Sequence, residues 1–281
     1  MSRSPYQRYS WQSEIFNSES HDIERYMALL DEECQRLNLK PRTLGKVEGH
    51  PLLLLQSPKA SAGLPSILVS SGFHGEEAAG PWGMLHFLSG LSPEVFEQVN
   101  LTLLPLNNPT GFIKGHRFNI FGENPNRGYL AGVDDAKPTV EGKILLENGQ
   151  LLQAASKDGI LTCHEDVLQT HTYLYSFEPR QQPGNFSKQL LAALGESFDV
   201  ALDANIDGCP VDNGFIFNHF DSSFEAWLVR SGAKVGACSE TPATQNFDRR
   251  ILANSAVMQR FVDYTLSNNR CSEDKTKAKE A

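Results

Sequence analysis

His74 and Glu77 stand three residues apart in SILVSSGFHGEEAAGPWGMLHFL, where an apolar run ends and a helical pattern begins. Ser66 to Ser71 reads as a buried strand, Gly72 and Gly75 permit a tight turn, and the apolar spacing after Glu77 suits a helix. An imidazole and a carboxylate on such a turn can face one cleft. Zinc accepts His nitrogen and carboxylate oxygen, and a catalytic zinc site needs a third protein ligand and an open position. The pair is therefore half of a metal site, and whether it is more than a polar surface turn depends on its companions.

Those companions occur in a workable order. His164 ends the apolar run of GILTCHED and is the candidate third ligand; Glu240 ends a second run, AKVGACSETP, where a carboxylate can project over a cleft and Pro242 stops the strand. Between them, GHRFNIFGENPNRGY carries Arg117, Asn126 and Arg127 in a Gly- and Asn-rich loop. Guanidinium groups clamp carboxylates bidentately, so two beside a metal point to an anionic substrate.

With these residues in place the chain resembles the zinc carboxypeptidase family, of the carboxypeptidase A and B type and including bacterial cell-wall peptide relatives. Five segments carry the resemblance: the HxxE at His74 and Glu77, Arg117 followed by Asn126-Arg127, His164, SSFEAWLVRSGA, and the SETP around Glu240. The resemblance implies that His74, Glu77 and His164 bind zinc, that Glu240 serves as general base and then general acid, and that Arg117 polarises the scissile carbonyl. It implies further that Asn126 and Arg127 hold the substrate's terminal carboxylate, and that Glu225, by its place relative to Trp227 and Glu240, floors the side-chain pocket. A carboxylate there would favour a C-terminal Lys, Arg or diaminopimelate side chain. Two departures stand out. The family's Asp-x-Asn-Arg begins here with Asn124, removing a charge that could orient the neighbouring arginine. The mobile tyrosine of many members has no counterpart between Tyr175 and Tyr264, which leaves Phe215, Phe217 or Phe220 as possible covers.

The expected fold is α/β, a mixed, mostly parallel central sheet with helices on both faces. Apolar runs at 51–55, 66–71, 101–106, 159–163, 200–202, 215–217 and 234–238 read as strands; helical patterns cover 21–37, the stretch after Glu77, 187–194, 223–230 and 249–266. Residues 131–158 read as an insertion beside the cleft. Residues 1–266 are expected to form one catalytic domain, followed by a charged, disordered tail at 267–281.

Composition sets outer limits. The 281 residues are 40% hydrophobic and 21% charged, enough for a substantial core, and the net charge of −9 argues against nucleic acid. No apolar run approaches the roughly 18 residues of a membrane span, and MSRSPYQRYSWQSEIF lacks a signal-peptide core, so a cytoplasmic protein without a membrane partner is expected. Five unpaired-looking cysteines agree with a reducing compartment. His116, His171 and Asp166 could support a second metal, whereas His86 reads as a packed helix residue. The expected substrate is a peptide or acyl-amino acid with a free carboxylate. Two alternatives stay open: an aspartoacylase or succinylglutamate desuccinylase-type amidohydrolase, which shares the His-x-x-Glu turn and the Asn-Arg pair, and an inactive zinc-binding protein. The 41 residues after Glu240 leave little room for the extra β domain of those amidohydrolases.

Overall fold

A computed structural model describes residues 20–58 and 60–280, the side chains of 203, 204 and 270–280 excepted. Helix α1 (Ile23–Leu37) starts at Asp22, whose carboxylate accepts from Arg25 N–H, and stops at Asn38, which adopts the left-handed conformation. Next come β1 (Arg42–Val47), β2 (His50–Gln56), β3 (Ser66–Ser71), α2 (Ala79–Gly90), β4 (Asn100–Leu104), α3 (Pro109–Lys114), α4 (Val140–Glu147) and α5 (Gly149–Ala155). The second half holds β5 (Gly159–Asp166), β6 (Tyr173–Phe177), α6 (Asn185–Gly195), β7 (Asp203–Ile206), β8 (Cys209–Asp212), β9 (Phe215–Phe217), α7 (Phe224–Arg230), β10 (Gly236–Pro242) and α8 (Phe247–Glu280).

The strands form one ten-stranded sheet in the order β1-β2-β4-β3-β5-β10-β6-β9-β8-β7. Its centre, β4-β3-β5-β10, is parallel, and antiparallel pairs flank it on both sides. Central strands buried on both faces read as continuous apolar runs, which is why β3, β4, β5 and β10 were visible in the sequence. One core holds α1, α2, α6 and α8 against the sheet; a second holds α4, α5 and α7 around Leu145, Leu152 and Trp227. Helices thus cover both faces, and Gly83 lets α2 approach α8 closely, since a Cβ there would lie 2.5 Å from Asn254 Cβ.

Three details depart from the expectation. Residues 131–158 are no appendage, because α4 and α5 bury Leu145 and Leu152 in the second core. The strand expected at 200–202 is reduced to a single bridge between Val200 and Thr172, and the ladder begins at Asp203. Its hairpin is closed by Asp207-Gly208, both at positive φ, and Asn213-Gly214 repeats the arrangement between β8 and β9. Such pairs match the right-handed strand twist. Lastly, α8 continues past Leu266 to Glu280, through a stretch that includes Lys and Glu, both good helix formers. The side chain of Cys271 lies outside the described residues.

Candidate metal centre and substrate cleft

The turn between β3 and α2 is shaped by two glycines. Gly72 sits at φ +68°, and a Cβ on Gly75 would overlap the backbone of Gly111, so only glycine lets the loop pass that close to α3. This brings His74 and Glu77 beside the end of β5. His74 Nδ1 lies 2.6 Å from Glu77 Oε1, and His164 Nδ1 lies 2.7 Å from Glu77 Oε2 and 3.2 Å from His74 Nδ1. All three side chains are buried. They are the only group of three or more His, Cys, Asp or Glu among the described residues with ligand atoms close enough for a metal ion.

The donor set fits zinc. Two imidazole nitrogens and one carboxylate oxygen converge, and nitrogens bound at about 2.0–2.1 Å around a tetrahedral ion stand a little over 3 Å apart, close to the observed separation. Charge agrees. Burial opposes ionisation of Glu77, but the two imidazoles outweigh it and hold its carboxyl below the ordinary range. Burial lowers His74 to about 4, against the pull of Glu77; at His164 burial is outweighed by Glu77, and the imidazole rises to about 9. The ionised Glu77 thus draws a proton onto His164, the positive charge that a bound cation would supply in its place.

Neighbours hold the ligands in place. Asn124 Oδ1 lies 3.0 Å from His74 Nε2, and the Phe73 ring stacks on His164 with centroids 5.9 Å apart. Glu165 N–H donates to Glu77 Oε2 at 3.2 Å. The Glu165 carboxylate in turn accepts from Ala79 N–H at 2.8 Å and pairs with Arg250 at 2.5 Å. A buried carboxylate so paired locks the end of β5 to the start of α2 and to α8.

The parallel register sets Glu240 opposite His164. Burial pushes the Glu240 carboxyl well above the carboxylate range; His164 pulls it down, and Glu77 and Asp166 add to the rise. Arg117 is the more exposed partner of Glu77 and Glu76, at 3.4 and 3.6 Å. Arg127 is aimed by Asp221 at 3.2 Å and by Asn126 O at 2.8 Å. Asn126 accepts from Phe224 N–H at 2.9 Å and reaches Glu225 Oε2 at 3.4 Å. The serine ahead of α7, Ser223, caps that helix and sets Glu225 in its first turn, buried and facing the cleft.

These groups share one narrow cavity of about 40 Å³, lined by His74, Arg117, Asn126, Arg127, His164, Glu225 and Glu240 together with Tyr175, Phe177, Asp207, His219, Asp221 and Cys238. Several of the latter escape a reading of motifs. Asp221 orients Arg127, the task that Asn124 had seemed to leave undone, while Asn124 itself turns to His74. Tyr175 and Phe177 come from β6, whose aromatic alternation in YLYSF is the signal that marks it as a strand. The phenylalanines expected as covers lie elsewhere. Phe215 and Phe217 line a separate groove with Gln181 and Pro183, and Phe220 packs on Phe177 under the Arg230 guanidinium. The second-metal arrangement does not form: Asp166 caps its own turn through Leu168 N–H and accepts from Tyr173, while His116 and His171 are exposed. His86 is packed between α2 and α8, its Nδ1 2.7 Å from Ser255 Oγ.

Comparison with known proteins bears on this geometry. Residues 63–201 match the family model for the succinylglutamate desuccinylase/aspartoacylase catalytic domain. A crystal structure from Shewanella amazonensis SB2B, named a "putative metallopeptidase", is 60% identical, with 91% of this chain and 98% of that one covered and a TM-score of 0.87. Its counterpart from Shewanella denitrificans OS217 is 62% identical over 94% and 98% of the two chains, with a TM-score of 0.85. A metallo-carboxypeptidase from Burkholderia cenocepacia shares the fold at 17% identity, covering 88% of this chain and 69% of that one, with a TM-score of 0.64. No curated protein matches the sequence. Ordered motifs, a buried His-Glu-His cluster and high identity to the Shewanella chains over nearly their full length lead to one conclusion: the chain belongs to the metallopeptidase family of these Shewanella proteins and has the carboxypeptidase-like fold.

Proposed function

We propose that the protein is a zinc-dependent carboxypeptidase that removes a C-terminal residue, preferably a cationic one, from a peptide. The observation that carries this reading is the meeting of metal donors, the Glu240 carboxyl and two arginines in one narrow cavity. Zinc held by His74, Glu77 and His164 would lower the pKa of a bound water and polarise a carbonyl. Glu240, ionised once a metal's charge offsets its burial, would accept a proton from the attacking water and return it to the leaving amine. Arg117 offers charge to the developing oxyanion. Asn126 and Arg127 hold the terminal carboxylate and so set which bond is cut.

Glu225 decides the side chain. Its buried carboxylate forms no ion pair with a Lys or Arg among the described residues, so a substrate ammonium or guanidinium would supply a counter-charge. A second reading, hydrolysis of N-acylated amino acids, is favoured by the family model over residues 63–201. Glu225 opposes it for acidic substrates, because an aspartate or glutamate side chain would face a like charge. Cytoplasmic placement belongs to the same proposal and is supported by the unpaired, buried Cys34, Cys163, Cys209 and Cys238. Among the described residues no helix is long and apolar enough to cross a membrane.

The test compares hydrolysis of benzoyl-Gly-Lys, its C-terminal amide, benzoyl-Gly-Phe, N-acetylaspartate and N-succinylglutamate by zinc-loaded protein. The free Lys peptide is expected to be cleaved fastest, and Glu225→Gln should shrink its advantage over Phe about tenfold or more. Faster cleavage of either acylated amino acid would transfer the assignment to the second reading. Equal cleavage of the amide would refute an exopeptidase.

A further inference from the structure

Glu165 is buried directly after His164 and grips the Glu77 turn at two points. Its N–H donates to Glu77 Oε2 at 3.2 Å, and its Oε1 accepts at 2.8 Å from the N–H of Ala79, two residues beyond Glu77. Helix α2 can begin this close to β5 because residue 80 is glycine: a Cβ there would lie 3.0 Å from Cys163 O. The other oxygen, Oε2, meets donors from elsewhere in the chain. Arg250 Nη1 lies 2.5 Å away, and Thr241 Oγ1 donates at 3.4 Å.

Thr241 follows Glu240 and is the register partner of Glu165. Asn254, one turn beyond Arg250 on α8, donates Nδ2 to Thr241 Oγ1 at 3.2 Å. Arg250 Nε donates to Gln245 O at 3.1 Å, in the turn that leaves β10. The planar guanidinium therefore spans two elements, holding the strand end that carries His164 and the turn after the strand that carries Glu240. None of Arg250, Thr241 and Asn254 lines the cleft, so their bonds act on the site without touching a substrate. Without the guanidinium, Glu165 would be a buried carboxylate with no counter-ion, and its grip on Ala79 and Glu77 would lose its fixed geometry.

We infer that Arg250 is a positioning residue for the metal centre, aiming the Glu77 carboxylate through Glu165 and fixing the place of Glu240 through the turn after β10. The inference rests on the reading of His74, Glu77 and His164 as metal ligands. It gives α8, which supplies neither ligand nor base, the task of setting the two in register with each other.

Chelator competition for zinc on the full chain, with urea midpoints measured alongside, tests the inference. Arg250→Met should raise the zinc Kd about 10–100-fold, the usual effect of losing a partner that orients a ligand. At saturating zinc it should lower kcat on benzoyl-Gly-Lys about tenfold or more and leave KM within about threefold. Arg250→Lys keeps the charge but not the fork, and should raise the zinc Kd about 3–10-fold. Val257→Ala, which opens a cavity at a fully buried apolar position of α8, should lower the urea midpoint without moving the zinc Kd. If Arg250→Met keeps the parent's zinc Kd, or if Val257→Ala raises it as much, Arg250 serves packing alone and the inference is wrong, while the metal-centre reading stands. Should Arg250→Met fail to fold, Arg250→Lys decides, and a zinc Kd and kcat equal to the parent's would overturn the inference. If the parent itself binds no stoichiometric zinc, the metal-centre reading falls and the inference falls with it.

Discussion

Asn124 Oδ1 lies 3.0 Å from His74 Nε2, which engages the far nitrogen of the imidazole and leaves Nδ1 facing Glu77 and His164. An amide oxygen in that place fixes both the ring's orientation and its tautomer. Asn124→Ala is expected to weaken zinc binding about 10–100-fold, whereas Asn124→Asp, which keeps an acceptor, should bind at least as tightly as the parent. Competition with a chelator measures both. His164→Ala should lose stoichiometric zinc altogether, and unchanged zinc content in that variant would remove His164 from the ligand set.

Glu240→Gln should retain zinc and fold while losing at least about a hundredfold in turnover, the usual contribution of a general base. The amide keeps the shape and hydrogen-bonding reach of the carboxyl but cannot carry the proton. Single-turnover kinetics beside metal analysis separate this from simple loss of the ion, and retained turnover would place the proton acceptor elsewhere.

Two arginines in one cleft should fail differently. Arg127, aimed by Asp221, is expected to govern substrate register, so Arg127→Ala should chiefly erase the preference for a free C-terminal carboxylate over an amide. Asp221→Asn should show a milder version of the same loss. Arg117→Ala should chiefly lower kcat. Matched kinetics on free and amidated peptides decide the matter; a reversed pattern would exchange the two roles.

His86 is expected to make the protein sensitive to acid. Burial lowers its imidazole from 6.5 to about 4, so between those values the unfolded chain binds the proton that the folded chain refuses. Stability attributable to this group is therefore complete above pH 6.5 and falls as pH drops towards 4, by up to about 1.4 kcal/mol per pH unit. His86→Gln should flatten the acid side of the stability profile between pH 4 and 6.5 and leave its shape above pH 7 unaltered. Urea midpoints across that range measure it, and parallel profiles for the two proteins would show that His86 does not contribute.

The sequence by itself determined the identities of the chemical groups and the strands that end in them. His74, His164 and Glu240 each follow or close an apolar run, and a run buried on both faces is visible because most of its residues are apolar or small. The Asp207-Gly208 and Asn213-Gly214 hairpins were equally open to local reading, since positive φ at paired positions demands those residue types. Strand β6, with its aromatic alternation, also carried a legible signal. Tertiary structure alone decided which polar groups face one another. The partnership of Asn124 with His74, of Asp221 with Arg127, and of Arg250 with Glu165 joins residues 50, 94 and 85 positions apart in the chain. No local pattern encodes such pairs, because they follow from the order in which β3, β5 and β10 lie side by side and from the close passage of α3 and α8 over their ends. The same placement turned Phe215 and Phe217 away from the cleft and brought Tyr175 into it, through the pairing of β6 between β10 and β9.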